Sequence, residues 1–106
     1  MAERFDMQAS NEGDRYTLAL RGELDLVSAD ALEEKAREIC SGGAAELLID
    51  LSNLAFMDSR GLRAILQARS ICEEGGCAFW LTPGPEAIQN LFELTGLLEV
   101  LPFKSI

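Results

Sequence analysis

Phe56-Met57-Asp58-Ser59-Arg60-Gly61-Leu62 is the stretch of this chain whose residue types and order could do chemistry. Asp58 and Ser59 are both favoured helix N-caps. An apolar residue just before the cap, here Phe56 or Met57, can pack back on the first turn as a hydrophobic staple. The same geometry has a second use. A serine at a helix start lies beside backbone N–H groups that have no helical partner, at the positive end of the helix dipole. A phosphate on Ser59 could be held there without unfolding the domain, and it would add about −1.5 to −2 charges at neutral pH. Asp58 would repel that charge and Arg60 would compensate it. Capping and phosphate acceptance are therefore both open at this site.

What the chain lacks narrows the choice further. It has no histidine, which removes the usual general base, the Ser-His-Asp arrangement and most catalytic zinc sites. There is no Gly-x-x-x-x-Gly-Lys-Ser/Thr loop and no Gly-x-Gly-x-x-Gly run. Lys35 and Lys104 are the only lysines, and neither has an apolar setting that would lower its pKa. A binding module rather than an enzyme is expected. Cys40, Cys72 and Cys77 are odd in number and show no Cys-x-x-Cys spacing, so they read as reduced structural thiols. No metal and no cofactor is expected.

The 106 residues suit one domain, 1–106 with its core at about 5–101, and 48% of them are apolar, enough to hold a core without disulfides or metals. Eighteen acidic residues against nine basic ones give a formal charge of −9. Such a surface repels nucleic-acid phosphates and anionic lipid headgroups, so it serves solubility or steering towards a basic partner. Glu3, Arg4, Asp6, Glu12 and Asp14 interrupt any signal-peptide pattern. The apolar runs are far too short to span a bilayer. A soluble, cytoplasmic protein with no direct membrane insertion is expected.

The elements that must position the motif follow from periodicity. Residues 3–9 and Tyr16–Leu20 read as strands joined by a turn at Asn11-Glu12-Gly13-Asp14, with Gly22 ending the second. Ser28 reads as the N-cap of a first helix, with Asp30 in its first turn, and Ser41-Gly42-Gly43 stops it. Leu47–Leu51 is an almost continuously apolar run that suits a strand buried on both faces, followed by a loop from Ser52 to Asp58. A second helix then carries Leu62, Ile65, Leu66 and Cys72 inward and closes at Gly75-Gly76. Cys77–Leu81 is the next strand, and Pro83-Gly84-Pro85 leads into a third helix with Ile88, Leu91 and Phe92 inward. Leu97–Leu101 reads as a last edge strand. The alternation predicts an α/β fold: a mixed sheet behind an N-terminal hairpin, with about three helices covering mainly one face.

Four segments together resemble the STAS domain, and within it the bacterial anti-sigma-factor antagonists. They are Gly22-Glu23-Leu24-Asp25; Leu47–Leu51 with Ser52-Asn53-Leu54; Phe56-Met57-Asp58-Ser59-x-Gly61-Leu62; and Glu93-Leu94-Thr95-Gly96-Leu97. The resemblance implies a partner switch. The unphosphorylated antagonist binds an anti-sigma factor that is also a serine kinase of the histidine-kinase-like ATPase fold, and so frees a sigma factor. Phosphorylation then releases it. By the same resemblance Ser59 is the phosphoacceptor, Asp25 is the acidic residue beside it, and Phe56, Met57, Asp58, Arg60 and Gly61 join Asp25 in the partner-binding surface. Nucleotide belongs to the kinase. An alternative within the family is a non-phosphorylated STAS subunit of a transporter ATPase or signalling assembly. Two departures stand out. Arg60 occupies a position where the family usually has a small residue, which suggests pairing with the phosphate or with Asp58, or a different partner. The chain also stops where many relatives continue into another helix, so the apolar residues Val100, Leu101 and Phe103 are expected either to need no such cover or to dock on something.

Overall fold

In the computed structural model, which describes residues 4–104, the chain begins with a hairpin. β1 (Asp6–Glu12) and β2 (Arg15–Leu24) pair antiparallel from Glu12↔Arg15 to Asp6↔Arg21. Only Gly13 and Asp14 separate them, and Gly13 takes a φ of 62°, a left-handed conformation that glycine adopts without a Cβ penalty. Asn11 and Glu12 belong to the strand rather than to the turn.

β2 also runs past Gly22, which the sequence reading takes as its end. Gly22 has a φ of 84°, and a Cβ there would collide with the carbonyl oxygen of Arg4. The register against the next strand slips beside it, between Ala19 and Arg21 and again between Gly22 and Glu23. The glycine therefore makes a bulge that bends the strand without ending it.

β3 (Glu46–Met57) lies parallel to β2, and β4 (Ala78–Leu81) lies parallel to β3, giving the sheet order β1-β2-β3-β4. The loop expected over Ser52–Asp58 is mostly strand, because β3 continues to Met57 beside Arg21–Leu24. Past the bulge its buried residues, Leu51, Leu54 and Met57, recur every third position. The two-residue alternation that marks a half-buried strand is lost there.

Three helices complete the fold: α1 (Ala29–Ser41), α2 (Ser59–Glu74) and α3 (Glu86–Leu94). α1 and α2 pack side by side and bury Leu32, Ala36, Ile65 and Ala68 with Leu18, Leu20, Leu47, Ile49 and Leu81 of the sheet. Each fully buried leucine of this set is worth about 1.5–3 kcal/mol relative to exposure, which fixes the face each strand turns inward. The alternate residues Thr17, Ala19, Leu48 and Trp80 are half-buried.

The last expected strand is absent. Residues 97–101 form turns, with the Leu101 N–H donating to the Leu97 carbonyl at 3.0 Å, and among the described residues this segment adds to the sheet one isolated parallel bridge, Leu81↔Phe103. Leu101 is buried, and Phe103 packs edge-to-face on Phe92 with ring centroids 5.2 Å apart. Leu101 and Phe103 thus dock on the chain's own core, while Val100 stays exposed.

Candidate functional site

Leu24 and Met57 pair at the C-terminal ends of the parallel strands β2 and β3. From there β2 leads through Asp25–Ser28 into α1, and β3 leads through Asp58 into α2. The Asp58 N–H donates to the Leu24 carbonyl at 3.3 Å, so both exits start from one point. The region beyond the carboxyl ends of parallel strands is where open α/β sheets gather their binding groups.

The motif divides its tasks residue by residue. Asp58 is the N-cap of α2, in extended conformation, and its carboxylate accepts the Gly61 N–H at 2.8 Å. Ser59 is the first helical residue, is exposed and takes no part in the cap. Gly61 is buried, and a Cβ there would run into the Leu24 carbonyl oxygen and the Met57 side chain. The glycine lets α2 begin directly against the end of β2. Met57 is 5% exposed and packs on this first turn, so of the two apolar residues before the cap it is Met57 that acts as the staple. Phe56 is 48% exposed and lines a shallow groove with Leu91 and Leu94 of α3.

Arg60 goes elsewhere than expected. Its guanidinium donates to Glu33 Oε2 and to Asp30 Oδ1, each at 2.8 Å. Both carboxylates lie on α1, so the ion pair ties the two helices together and does not engage Asp58. Glu33 is buried, and its hydrogen bond is the main cause of the guanidinium holding its proton even more firmly than an ordinary arginine.

Asp25 is absorbed by its own turn. Its Oδ1 accepts the Val27 and Ser28 N–H groups at 3.0 and 3.3 Å, while its N–H donates to the Ser28 hydroxyl at 2.9 Å. That hydroxyl donates to the Glu23 carbonyl at 2.8 Å. Ser28 occupies the N-cap position of α1 but makes no side-chain cap bond, because the turn has already used its oxygen. Asp25 and Asp58 are thus neighbours by topology, each following one of the paired residues Leu24 and Met57.

The same end of the fold holds apolar residues that the sequence reading passes over. Leu26 and Val27, in the loop after Asp25, are 73% and 90% exposed, and Leu94 at the end of α3 is 85% exposed. Large exposed apolar groups close together mark contact surfaces. The available signal was an apolar pair set between a strand-ending aspartate and a helix start, where solvent-facing polar residues are the norm. Among the described residues no helix is long and apolar enough to cross a membrane.

A four-stranded mixed sheet begun by a hairpin, with a capped serine-bearing helix at the strand ends, defines a class of fold that comparison with known proteins identifies. The family model described as the Mlab STAS domain matches residues 7–102, and the chain belongs to the STAS domain family. An anti-sigma-B factor antagonist of Staphylococcus aureus is 24% identical over 97 residues, spanning 92% of this chain and 90% of the relative. The crystal structure of an anti-sigma factor antagonist from Mycobacterium paratuberculosis superposes with a TM-score of 0.81 at 24% identity, covering 97% of this chain and 87% of that one. The antagonist SpoIIAA in its unphosphorylated form gives 0.79 at 20% identity, with 94% and 89% coverage. The Bacillus protein SpoIIAA in its phosphorylated form gives 0.71 at 20% identity, with 96% and 92% coverage.

Proposed function

We propose that this chain is an anti-sigma-factor antagonist: a protein-binding domain that docks an anti-sigma factor through the surface around Ser59 and is released when that partner, acting as a serine kinase, phosphorylates Ser59. The observation that carries this reading is the division of labour between Asp58 and Ser59. Asp58 supplies the whole side-chain cap of α2, which leaves the Ser59 hydroxyl exposed and structurally dispensable. A phosphoryl group can be added there without removing any bond that holds the fold.

The charge change supplies the switch. A phosphoserine adds about −1.5 to −2 charges next to Asp58, and the adjacent cation in sequence, Arg60, is already shared between Asp30 and Glu33. A partner surface chosen to meet an exposed hydroxyl and the apolar groups Phe56, Leu26 and Val27 would then face a dianion, and burying an unpaired charge is costly. The names of the relatives and the existence of SpoIIAA in both phosphorylation forms support this reading. Nucleotide and catalysis belong to the partner, consistent with a chain that has no histidine.

The test is incubation with candidate anti-sigma kinases and Mg-ATP, followed by peptide mass spectrometry. Phosphate on Ser59, and loss of partner binding by Ser59→Asp at an unchanged melting temperature, are the expected results. Phosphate on another residue overturns the switch. ATP-independent co-purification with a transporter ATPase would assign the chain instead to a constitutive assembly.

A further inference from the structure

The three cysteines, which look unrelated in the sequence, meet in the fold. Cys40 lies in the last turn of α1, Cys72 in the last turns of α2, and Cys77 just before β4. Their sulfurs all lie within 4.8 Å of one another, and Cys40 Sγ and Cys72 Sγ are 3.2 Å apart. Cys72 and Cys77 are buried, and Cys40 is half-buried, which leaves an approach from solvent.

Backbone chemistry produces this meeting. Both helices end in the same glycine motif. The Ala44 N–H donates to the Ile39 carbonyl and the Gly43 N–H to Cys40; the Cys77 N–H donates to the Cys72 carbonyl and the Gly76 N–H to Glu73. Gly43 and Gly76 carry the positive φ that this helix stop requires, 93° and 72°. The stop on α2 folds residue 77 back onto residue 72, and the side-by-side packing of α1 adds Cys40. Gly75 belongs to the same contact, since a Cβ there would touch the Cβ of Cys40 at 3.6 Å.

Three thiols can simply fill a core as small hydrophobes. The electrostatics of this place point further. Two helix C-termini converge on the sulfurs, and neither carries a basic residue in its last turn. The partial negative charge of their terminal carbonyls favours a cation and opposes a bare thiolate. A metal ion bound among the three sulfurs would take the place of the thiol protons and offset most of the thiolate charge. At a metal–sulfur distance of about 2.3 Å, sulfurs around a tetrahedral ion sit about 3.8 Å apart, within the spread of this cluster.

We propose that Cys40, Cys72 and Cys77 form a binding site for a soft, closed-shell cation of the zinc and cadmium class, set where α1 and α2 end. All-sulfur ligation selects such ions over magnesium or calcium. Each of the three thiols gives up its proton to solvent as its metal–sulfur bond forms, no electrons change hands, and the fourth position is left to water on the open side of Cys40. The site is remote in sequence from the Ser59 motif, so binding there stands or falls independently of the switch.

The experiment uses the full, reduced chain under anaerobic conditions, titrated with cadmium chloride. Expected are one ion per chain, sulfur-to-cadmium charge-transfer absorption in the ultraviolet, release of three protons per ion and a raised melting temperature. Cys40→Ser, at the half-exposed ligand, should keep the fold by circular dichroism and lose most of the absorption. Cys77→Ser provides a second, independent loss. No charge-transfer band in the unmodified chain, or a band that survives Cys40→Ser at full strength, overturns the proposal.

Discussion

Arg60 on α2 stands 2.8 Å from the carboxylate of Glu33 on α1, and the same guanidinium holds Asp30 at 2.8 Å. Glu33 is buried, and removing one partner of a buried ion pair leaves the other without compensation. Asp30, by contrast, has a side chain 81% exposed, and water competes for it. Arg60→Ala should therefore lower the denaturant midpoint, and Glu33→Gln placed in the Arg60→Ala background should restore most of the loss. Asp30→Ala alone should do little. Equal effects of the two carboxylates in a double-mutant cycle would show that burial does not govern this pair.

The cap and the exposed hydroxyl separate in the same way. Asp58→Ala removes the side-chain cap on the Gly61 N–H at the start of α2 and should cost about 0.5–2 kcal/mol. Ser59→Ala should stay within about ±0.5 kcal/mol, as surface changes usually do. Urea unfolding of both variants checks the ordering. A Ser59→Ala loss as large as that of Asp58→Ala would mean that the hydroxyl is structural, and the basis of the proposed switch would go with it.

Gly61 is the residue that sets α2 against the end of β2. Because the collision of a Cβ is with the Leu24 backbone carbonyl as well as with Met57, a side-chain shift cannot relieve it. Gly61→Ala should destabilise by about 1–3 kcal/mol, although alanine is the better helix former by about 1 kcal/mol. Chemical denaturation decides the sign, and a gain in stability would place α2 further from β2 than the structure has it.

The fold was legible in the sequence wherever one physical signal acted alone. The apolar run 47–51, the glycine pairs 42–43 and 75–76 and the inward spacing of Ile88 and Phe92 all correspond to elements of the structure. It was not legible where two signals competed. Gly22 carries the composition of a strand end, yet the strand continues through it as a bulge. Beyond that bulge, residues 52–57 lose alternation and read as loop. Ser28 has the right type and position for a cap, but the Asp25 turn claims its hydroxyl. Local rules narrow the cap to Asp58 or Ser59 and the staple to Phe56 or Met57, and the fold selects Asp58 and the buried Met57. The direction of Arg60 does not follow from local rules, because its partners are 27 and 30 residues away and belong to tertiary packing.

Asp50 offers a test by pH. Burial alone would raise its pKa, but hydrogen bonds from the Ser52 side chain and backbone and from the Thr82 hydroxyl outweigh that effect and lower it. A carboxylate whose folded pKa lies below its unfolded value, near 3.9, adds stability that is present above that value and is lost as the pH falls through the folded pKa. The Thr82 hydroxyl also accepts the Leu51 N–H at 3.0 Å, so Asp50 secures the β3–β4 edge. Asp50→Asn should be less stable than the parent at neutral pH, and the gap should narrow on acidification below about pH 4. A gap that stays constant with pH would remove the charged carboxylate from the account.

Phe56 and Met57 both border the shallow groove against α3, but Met57 is 5% exposed and Phe56 48%, and this difference separates folding from binding. Met57 is buried against Gly61, so Met57→Ala should cost about 2–5 kcal/mol, the range for deleting a buried side chain of this size. Any loss of partner binding it causes should follow the loss of folded protein. Phe56 is half-exposed beside Leu94 and anchors nothing in the core. Phe56→Ala should leave the unfolding curve within about 0.5 kcal/mol while weakening binding to the proposed anti-sigma partner by about tenfold or more, in the manner of an aromatic anchor at an interface. Val27→Asp, at the most exposed apolar residue of the neighbouring loop, should act in the same direction. Calorimetric binding measured alongside urea unfolding distinguishes the cases, and full affinity in both exposed-residue variants would move the docking surface away from this end of the sheet.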